Sequence, residues 1–508
     1  MTSVADSDPF VRNKARDAEG LPPSNRLSAG EWAKKNLLNN WYNSLITVVV
    51  ACGMAFAVVR TLGWLFSSDF LIIRRNLAVF MVGQFPRDEL WRTWASGYLL
   101  MGAFGVGSGV LWRSAQADAE EKGLPTEPHS WPDLLRRFWA IIAVLVFFVS
   151  FARTAPPFVG LASAFAVFWI SRESGRRFSA AARARGLFFA GLLGLLSLLV
   201  LAGSGGLVAL TVGGLVGAWT LSEVRRYVDD YVVGRGAASP EVLGQPQRDQ
   251  RWRLPDLFKR PAWATWASRA AAVVVGAGVW FGLRAIDWGG YGWEDWGGLH
   301  LTLFVTVIGI SAGLPVGILL ALGRQSDLPV IKGASVIFIE FVRGVPLISL
   351  LLFSWFMLPL LFPIDLDIPG KLTRAMIVIT AFSAAYIAEI VRGGLQSVPR
   401  GQVEAAQASG MSAGRIQRLI VLPQALRAVI PAMVGQFISL FKDTSLLAII
   451  GLLDFLRASA VANAQTEFLG QGLVTVTYPF VALGYWAFAY TMSKESRRVE
   501  ERLGVGVR

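Results

Sequence analysis

Long apolar runs, many near the length needed to cross a bilayer, recur along this chain and alternate with polar or charged segments. Their length and hydropathy predict membrane helices at about Leu45–Phe66, Thr93–Trp112, Phe138–Ala152, Phe158–Ile170, Gly186–Leu201, Gly205–Leu221 and Ala267–Leu283. Five more are predicted at about Leu301–Leu322, Ala334–Leu360, Met376–Val391, Val429–Phe441 and Leu473–Met492. The pairs within 138–170 and 186–221 are short and closely joined, so each is open to a second reading as a re-entrant hairpin. Losing a whole pair would leave the sidedness of everything after it unchanged. The pattern predicts an all-α integral membrane protein with about 12 transmembrane helices.

Composition agrees. Of the 508 residues 54% are hydrophobic and 16% charged, and the mean hydropathy of +0.49 excludes an ordinary soluble fold. A net charge of +13 raises nucleic acid as a partner, but the basic residues alternate from loop to loop instead of gathering in a basic domain. With a cytoplasmic N-terminus, about thirty-five Lys and Arg fall inside and about ten outside, as positive-inside orientation requires. Inner loops include 171–185, with five Arg, and 222–266, with Arg225, Arg226, Arg248, Arg251, Arg253, Lys259 and Arg260. Outer loops at 284–298 and 362–370 are acidic and Gly- or Pro-containing. The 67–92 segment is the exception, with Arg74, Arg75, Arg87 and Arg92 on the outer side. Residues 1–43 lack the apolar core of a signal peptide, so the first span is expected to be an uncleaved anchor, with Met1–Gly30 loosely held.

Several chemistries lack their residues. No G-x-x-x-x-G-K-[ST] phosphate loop is present, so ATP hydrolysis is not expected in this chain. GVGSG (105–109) and GSGG (203–206) lie in or beside apolar spans, where small residues favour close helix packing over phosphate binding. Cys52 is the single cysteine, which excludes a disulfide framework or a cysteine metal cluster. His129 and His300 have no ligand-spaced neighbour and are expected as interfacial side chains. No hydrolytic constellation appears, and the chain is not expected to be an enzyme.

The segment GQVEAAQASGMSAGRIQRLIVLPQA, Gly401 to Ala425, carries the most specific signal. Pro399 opens a short helix, and Ala405 and Ala406 present a low face for close approach. Gly410, without a Cβ, suits a left-handed turn between two helices. A second amphipathic helix is predicted from about Ser412 to Leu422, stopping before Pro423. The product is a stiff elbow on the membrane surface; the plainer alternative is an amphipathic linker between two spans. Seven positions, Glu404, Ala405, Ala406, Gly410, Ile420, Leu422 and Pro423, stand at the spacing of the EAA loop. The segment thus resembles the one by which permeases of bacterial ABC importers dock onto their ATPase subunits.

The resemblance extends over essentially all of residues 296–504. It is carried by WGGLHLTL (296–303), PVGILLALGRQSDLPVIK (315–332), IEFVRGVPLISLL (339–351), AAYIAEIVRGGLQSVPRGQVEAA (384–406), LPQALRAVIPAMVGQFISLFKDTSL (422–446) and MSKESRRVEERLG (492–504). Together they resemble the permease subunits of polar amino-acid ABC importers, above all the larger permease of the general L-amino-acid systems. NNWYNSLITVVV (39–50) and NLAVFMVGQFPRDELWRTW (76–94) resemble the same permease, while residues 113–261 depart from it. The resemblance implies a bacterial inner-membrane protein with a C-terminal five-helix type I ABC importer permease core and both termini cytoplasmic. It implies ATPase subunits that carry the ATP and Mg, with no cofactor in this chain. Its other implied partners are a second permease, a periplasmic amino-acid-binding protein, the lipid bilayer and an amino-acid substrate, with no nucleic acid. The expected organisation is a polar cytoplasmic segment over 1–43, a membrane region of about six spans over 44–235 and a cytoplasmic linker over 236–261. An additional span with its outer loop follows over 262–295, then the permease core over 296–495 and a basic tail over 496–508.

Intramembrane polar residues are costly and usually face protein or a water-filled path. Gln436, Ser439 and Asp443 stand at i, i+3 and i+7, one face of a helix, with Lys442 beside them. An amino-acid zwitterion needs an acceptor for its ammonium and a donor for its carboxylate, which makes this stripe a substrate-path candidate. A structural ion pair or helix terminus is the plain alternative. Glu340 with Arg343 and Glu389 with Arg392, both at i, i+3, are expected as structural salt bridges near inner helix ends; the first pair is also a path candidate. Two other classes stand beside an ATP-driven permease. One is an ion-gradient-driven secondary amino-acid transporter, which leaves the elbow unexplained. The other is a membrane scaffold or sensor, for which no signalling domain is evident.

Overall fold

The structure, a computed structural model, describes residues 29–121, 131–152, 155–178, 183–202, 206–228, 262–285, 292–362 and 369–503. The expectations for Met1–Gly30, apart from its last two residues, for the 236–261 linker and for His129 lie outside them. Among the described residues the chain is helical, apart from one isolated bridge between Gly298 and Asp454. It forms two compact units, Met1–Phe70 and Leu71–Arg508.

The first unit holds α1 (Ala29–Asn36) and α2 (Trp41–Ser67). Asn40 takes an extended backbone before α2, and the Ser68 amide closes the helix on the Trp64 carbonyl at 2.9 Å. Trp41, Leu45, Val49, Met54, Phe56 and Val59 are exposed on α2, and Cys52 is exposed too. A helix that is apolar all round belongs in a bilayer, as the pattern at Leu45–Phe66 predicts.

The second unit begins with α3 (Leu71–Val82) and α4 (Leu90–Glu121). It continues through α5 (Trp131–Arg137), α6 (Trp139–Ser150), α7 (Pro156–Arg176), α8 (Arg183–Ala202), α9 (Gly206–Val228) and α10 (Ala262–Ala285). Then come α11 (Gly298–Arg324), α12 (Pro329–Gly344), α13 (Leu347–Leu352), α14 (Lys371–Ser397), α15 (Arg400–Ala408) and α16 (Ala413–Ile416). The last are α17 (Leu422–Asp443), α18 (Phe455–Asn463) and α19 (Val474–Leu503). Among the described residues the apolar runs fall on helices, and five stretches are long and apolar enough to cross a membrane alone: 41–64, 90–117, 298–324, 371–397 and 413–448. Trp139–Ser150 and Arg185–Ser197 are shorter apolar helices.

Two elements differ from the pattern. Ala334–Leu360 is not one continuous helix: α12 and the helical stretch after it, to Leu361, meet at 102° as a broken span or a re-entrant loop. Pro346 has no amide hydrogen and pushes Val345 to an extended backbone, which breaks the helix there. The 67–92 segment, expected as a loop, contains α3, whose Ile72, Ile73 and Phe80 are fully buried.

α3 packs against α11, α18 and α19. Gly83 and Gly297 meet backbone to backbone, where a Cβ on Gly83 would lie 2.6 Å from the Gly297 Cα. The Gly298 amide donates to the Leu453 carbonyl at 2.7 Å, and Phe85 stacks on Trp296 with centroids 4.0 Å apart. Asn76 and Gln465 exchange hydrogen bonds, and Arg75 pairs with Glu467. Two of the four arginines of this segment, Arg75 and Arg92, therefore make structural contacts. Arg92, fully buried, donates from Nε and Nη2 to the Val200 carbonyl near the end of α8, at 3.1 and 3.0 Å. A cation at a helix C-terminus is electrostatically favoured.

The GVGSG glycines act in packing. A Cβ on Gly105 would lie 2.5 Å from the Phe168 carbonyl and one on Gly109 2.1 Å from that of Arg172, so α4 and α7 touch along their backbones. Around the C-terminal core, α11 faces α14 through Gly309, Gly313 and Gly317, one turn apart each. α14 in turn packs on α17, and α17 on α19. His300, expected at an interface, is half-buried against Trp296 with centroids 4.7 Å apart.

Candidate functional site

α15 begins after Pro399, whose extended ψ of 130° brings the chain into the helix. It ends in a paired C-cap: the Met411 amide donates to the Ala406 carbonyl at 3.1 Å and the Gly410 amide to the Gln407 carbonyl at 2.9 Å. This is the Schellman arrangement, and Gly410 has the positive φ of 75° that it requires. A Cβ on Gly410 would meet nothing within 4 Å, so the backbone angle alone demands glycine.

The two alanines separate. Ala406 is 6% exposed and packs with Ile416, Val421 and Ala425 against the C-terminal parts of α11, α12 and α14. Ala405 and Glu404 stay exposed. Successive residues of a helix point about 100° apart, so the expectation of one low face formed by both alanines is corrected: Ala406 anchors and Ala405 is presented. Glu404 makes no ion pair or side-chain hydrogen bond among the described residues.

The second elbow helix does not stop before Pro423. α16 runs into a π-helical turn at Gln417–Val421 and on without a break into α17, with Pro423 in its first turn. The wider π turn re-routes the hydrogen bonds, so the missing proline donor costs little. Ile420 and Leu422 are half-buried and Pro423 is exposed. The Gln424 Nε2 donates to the Gln402 Oε1 at 2.6 Å, tying α17 to α15.

An ion cluster sits at the root of this elbow. Glu340 and Arg343 do not pair with each other as expected. The Arg324 Nη1, at the end of α11, donates to the Glu340 Oε1 at 2.8 Å and lies 3.6 Å from the Glu389 Oε2. Arg343 also lies 3.6 Å from that oxygen. Arg392 does pair with Glu389 as expected, with Nε 2.9 Å from Oε1, and reaches Gln396 from Nη1 at 3.1 Å. Three cations of three helices thus share two carboxylates. Arg324 escapes sequence reasoning, because a lone cation at the inner end of a span fits the positive-inside bias equally well. Next to the cluster, a cavity of about 560 Å³ is lined by Gln325 and Gln396 on the spans and by Arg400, Val403, Gln407 and Gln417 on the elbow.

The polar stripe lies on α17. Gln436 and Asp443 are half-buried, while Ser439 and Lys442 are exposed on the surface of the chain. None of the four makes an ion pair or side-chain hydrogen bond among the described residues. α17 itself begins at Leu422, seven residues before the predicted span start at Val429, and carries Pro431 inside it.

A two-helix elbow at one end of a helical core defines a class of membrane transport component, and the comparisons agree. The chain belongs to the family of binding-protein-dependent transport system inner membrane components, whose profile matches residues 313–492. It is 36% identical over 208 residues to the probable glutamine ABC transporter permease protein GlnP of Bacillus subtilis, across 41% of this chain and 92% of that one. It is 49% identical over 213 residues to the inner membrane amino-acid ABC transporter permease protein YhdY of Escherichia coli K12, across 42% of this chain and 57% of the relative. With the glutamate/glutamine/aspartate/asparagine transport system permease protein BztC of Rhodobacter capsulatus it shares 46% over 215 residues, or 41% and 48%. The match thus spans about half the length of the last two relatives.

Proposed function

We propose that this chain is the membrane-spanning permease subunit of an ATP-driven importer of polar amino acids. Its C-terminal core forms part of the translocation path as a type I permease within a chain of about 12 spans. The elbow formed by Glu404, Ala405, Ala406, Gly410, Ile420, Leu422 and Pro423 docks a separate ATPase on the cytoplasmic side. ATP and Mg belong to that partner, and the chain itself is no enzyme. A second permease completes the path, and a periplasmic binding protein delivers the substrate. Both termini face the cytoplasm of a bacterial inner membrane. The observation that carries this reading is the elbow itself, anchored by buried Ala406 with Glu404 and Ala405 turned outward. ATP-driven closure of the ATPases would push that stiff element and rotate the permease halves as rigid bodies. The test is purification of the tagged chain from its native membrane. An ATPase, a second permease and ATP-dependent uptake of L-glutamine or L-glutamate in vesicles are expected. Uptake driven by an ion gradient without ATP would overturn the reading.

Within it, Gln436, Ser439, Lys442 and Asp443 are proposed to face the substrate path, and Glu340 and Arg343 to belong to the structural cluster at its inner end. Asp443→Asn is expected to leave complex yield and basal ATPase activity unchanged and to lower uptake about tenfold, the effect of one charge-assisted hydrogen bond. Reduced yield would instead assign Asp443 to assembly.

A further inference from the structure

The first turn of a helix favours acidic side chains, because the helix dipole is positive there. α14 opposes this rule: Lys371 and Arg374 occupy its first turn, which holds no acidic residue. A third cation reaches the same place from α18. The Lys371 Nζ and Arg457 Nη1 stand 3.1 and 3.3 Å from where a Cβ on Gly451 would lie, so the two heads converge over a glycine. Arg457 and Arg374 both bear on Lys371 as like charges. The carboxylate that faces them, Glu294, is already committed. Its Oε2 accepts from the Leu372 amide at 2.7 Å, and its Oε1 accepts from the Thr373 amide and Thr373 Oγ1, both at 3.0 Å.

The cations retain donor capacity. Arg457 uses its Nη1 on the Ala448 carbonyl at 2.7 Å, and the buried Nε of Arg374 has no hydrogen-bond partner among the described residues. Lys371 lies over the Trp355 ring, 4.7 Å from its centroid. All three cations are half-exposed. Under the proposed orientation they lie on the outer side, where about ten of the chain's Lys and Arg fall. Three of those ten meet at one place, where Glu294 bears on Lys371 as the opposing charge.

We propose that Lys371, Arg374 and Arg457 receive the α-carboxylate of the transported amino acid at the outer entrance of the translocation path. Converging arginine and lysine donors bind a carboxylate through charge-assisted hydrogen bonds, and the Trp355 ring lies under one of them, Lys371. Gly451 is the residue that lets two of the heads approach. This assignment rests on the importer reading given above.

The test uses the complex purified with its partners and reconstituted in vesicles, with L-glutamine and L-glutamate as probes. The variants are Lys371→Gln, Arg374→Gln, their double variant and the charge-preserving Lys371→Arg. Arg457 is left intact because it also holds the Ala448 carbonyl. Amino acid moved per ATP hydrolysed is expected to fall about tenfold in the double variant, with complex yield and binding-protein-stimulated ATPase activity unchanged. Lys371→Arg should restore most of the transport. Unchanged transport in the double variant overturns the site. Loss of binding-protein stimulation together with transport overturns it too, and assigns the cations to a carboxylate on the binding protein. Reduced yield that Lys371→Arg shares marks a packing role and likewise counts against it. Failure of the wild-type complex to take up any amino acid with ATP would sink the importer reading itself, an outcome distinct from all of these.

Discussion

Gly410→Val is expected to abolish ATP-coupled uptake while leaving the chain in the membrane at normal abundance. The position is sterically open, with nothing within 4 Å of where a Cβ would lie, so the substitution creates no clash with a neighbour. What it opposes is the φ of 75°, a left-handed angle that a β-branched residue adopts only with strain. The two C-cap hydrogen bonds of Met411 and Gly410 then cannot both persist, and α15 swings away from the direction that turns Glu404 and Ala405 outward. The cost falls on the elbow and not on the spans. Asparagine tolerates the left-handed region far better, so Gly410→Asn should keep most of the uptake. Parallel measurement of membrane abundance, ATPase activity and uptake in the two variants checks this. Equal loss in both would mean that glycine is needed for close approach of a partner and not for its backbone angle.

The second large effect is expected at Glu389. Its carboxylate lies among Arg324, Arg343 and Arg392, and its side chain is 23% exposed. Glu389→Ala leaves those arginines with one carboxylate, Glu340, which is 54% exposed and reaches Arg324 alone. Removing one member of a fully buried ion pair costs about 3–5 kcal/mol; partial exposure here reduces this to about 2 kcal/mol. Because the cluster ties α11, α12 and α14 together at the root of the elbow, the loss should appear both as lower thermal stability in detergent and as poorer coupling. Glu340→Ala removes a more exposed partner and should cost under about 1 kcal/mol. The comparison is direct: similar melting temperatures for the two variants would show that the cluster is not centred on Glu389.

Much of the elbow was legible in the sequence because its requirements are local. Proline before a helix, glycine at a C′ position and an amphipathic repeat each act over a few residues, and Pro399, α15 and Gly410 follow them. The fate of Pro423 was not legible. Whether a proline ends a helix or is absorbed by a π turn depends on whether the segment continues into a packed span, which neighbouring residues do not encode. The pairing of Arg324 with Glu340 and Glu389 was hidden for a similar reason. Spacing along one helix suggested Glu340 with Arg343, but the approach of three helix ends offered Arg324 a better geometry.

By itself the sequence determined the all-helical membrane character, the family to which the C-terminal half belongs and the position of the elbow. These rest on apolar length, charge alternation and short-range backbone preferences, all carried by contiguous residues. Tertiary structure decided that Ala406 anchors while Ala405 is presented, that Ala334–Leu360 breaks at Pro346 and that α3 belongs to the C-terminal core. It also brought Lys371, Arg374 and Arg457 to one place. Each of these depends on residues far apart in the chain meeting at one distance and angle, and such meetings are set by how helices pack, which no local pattern records.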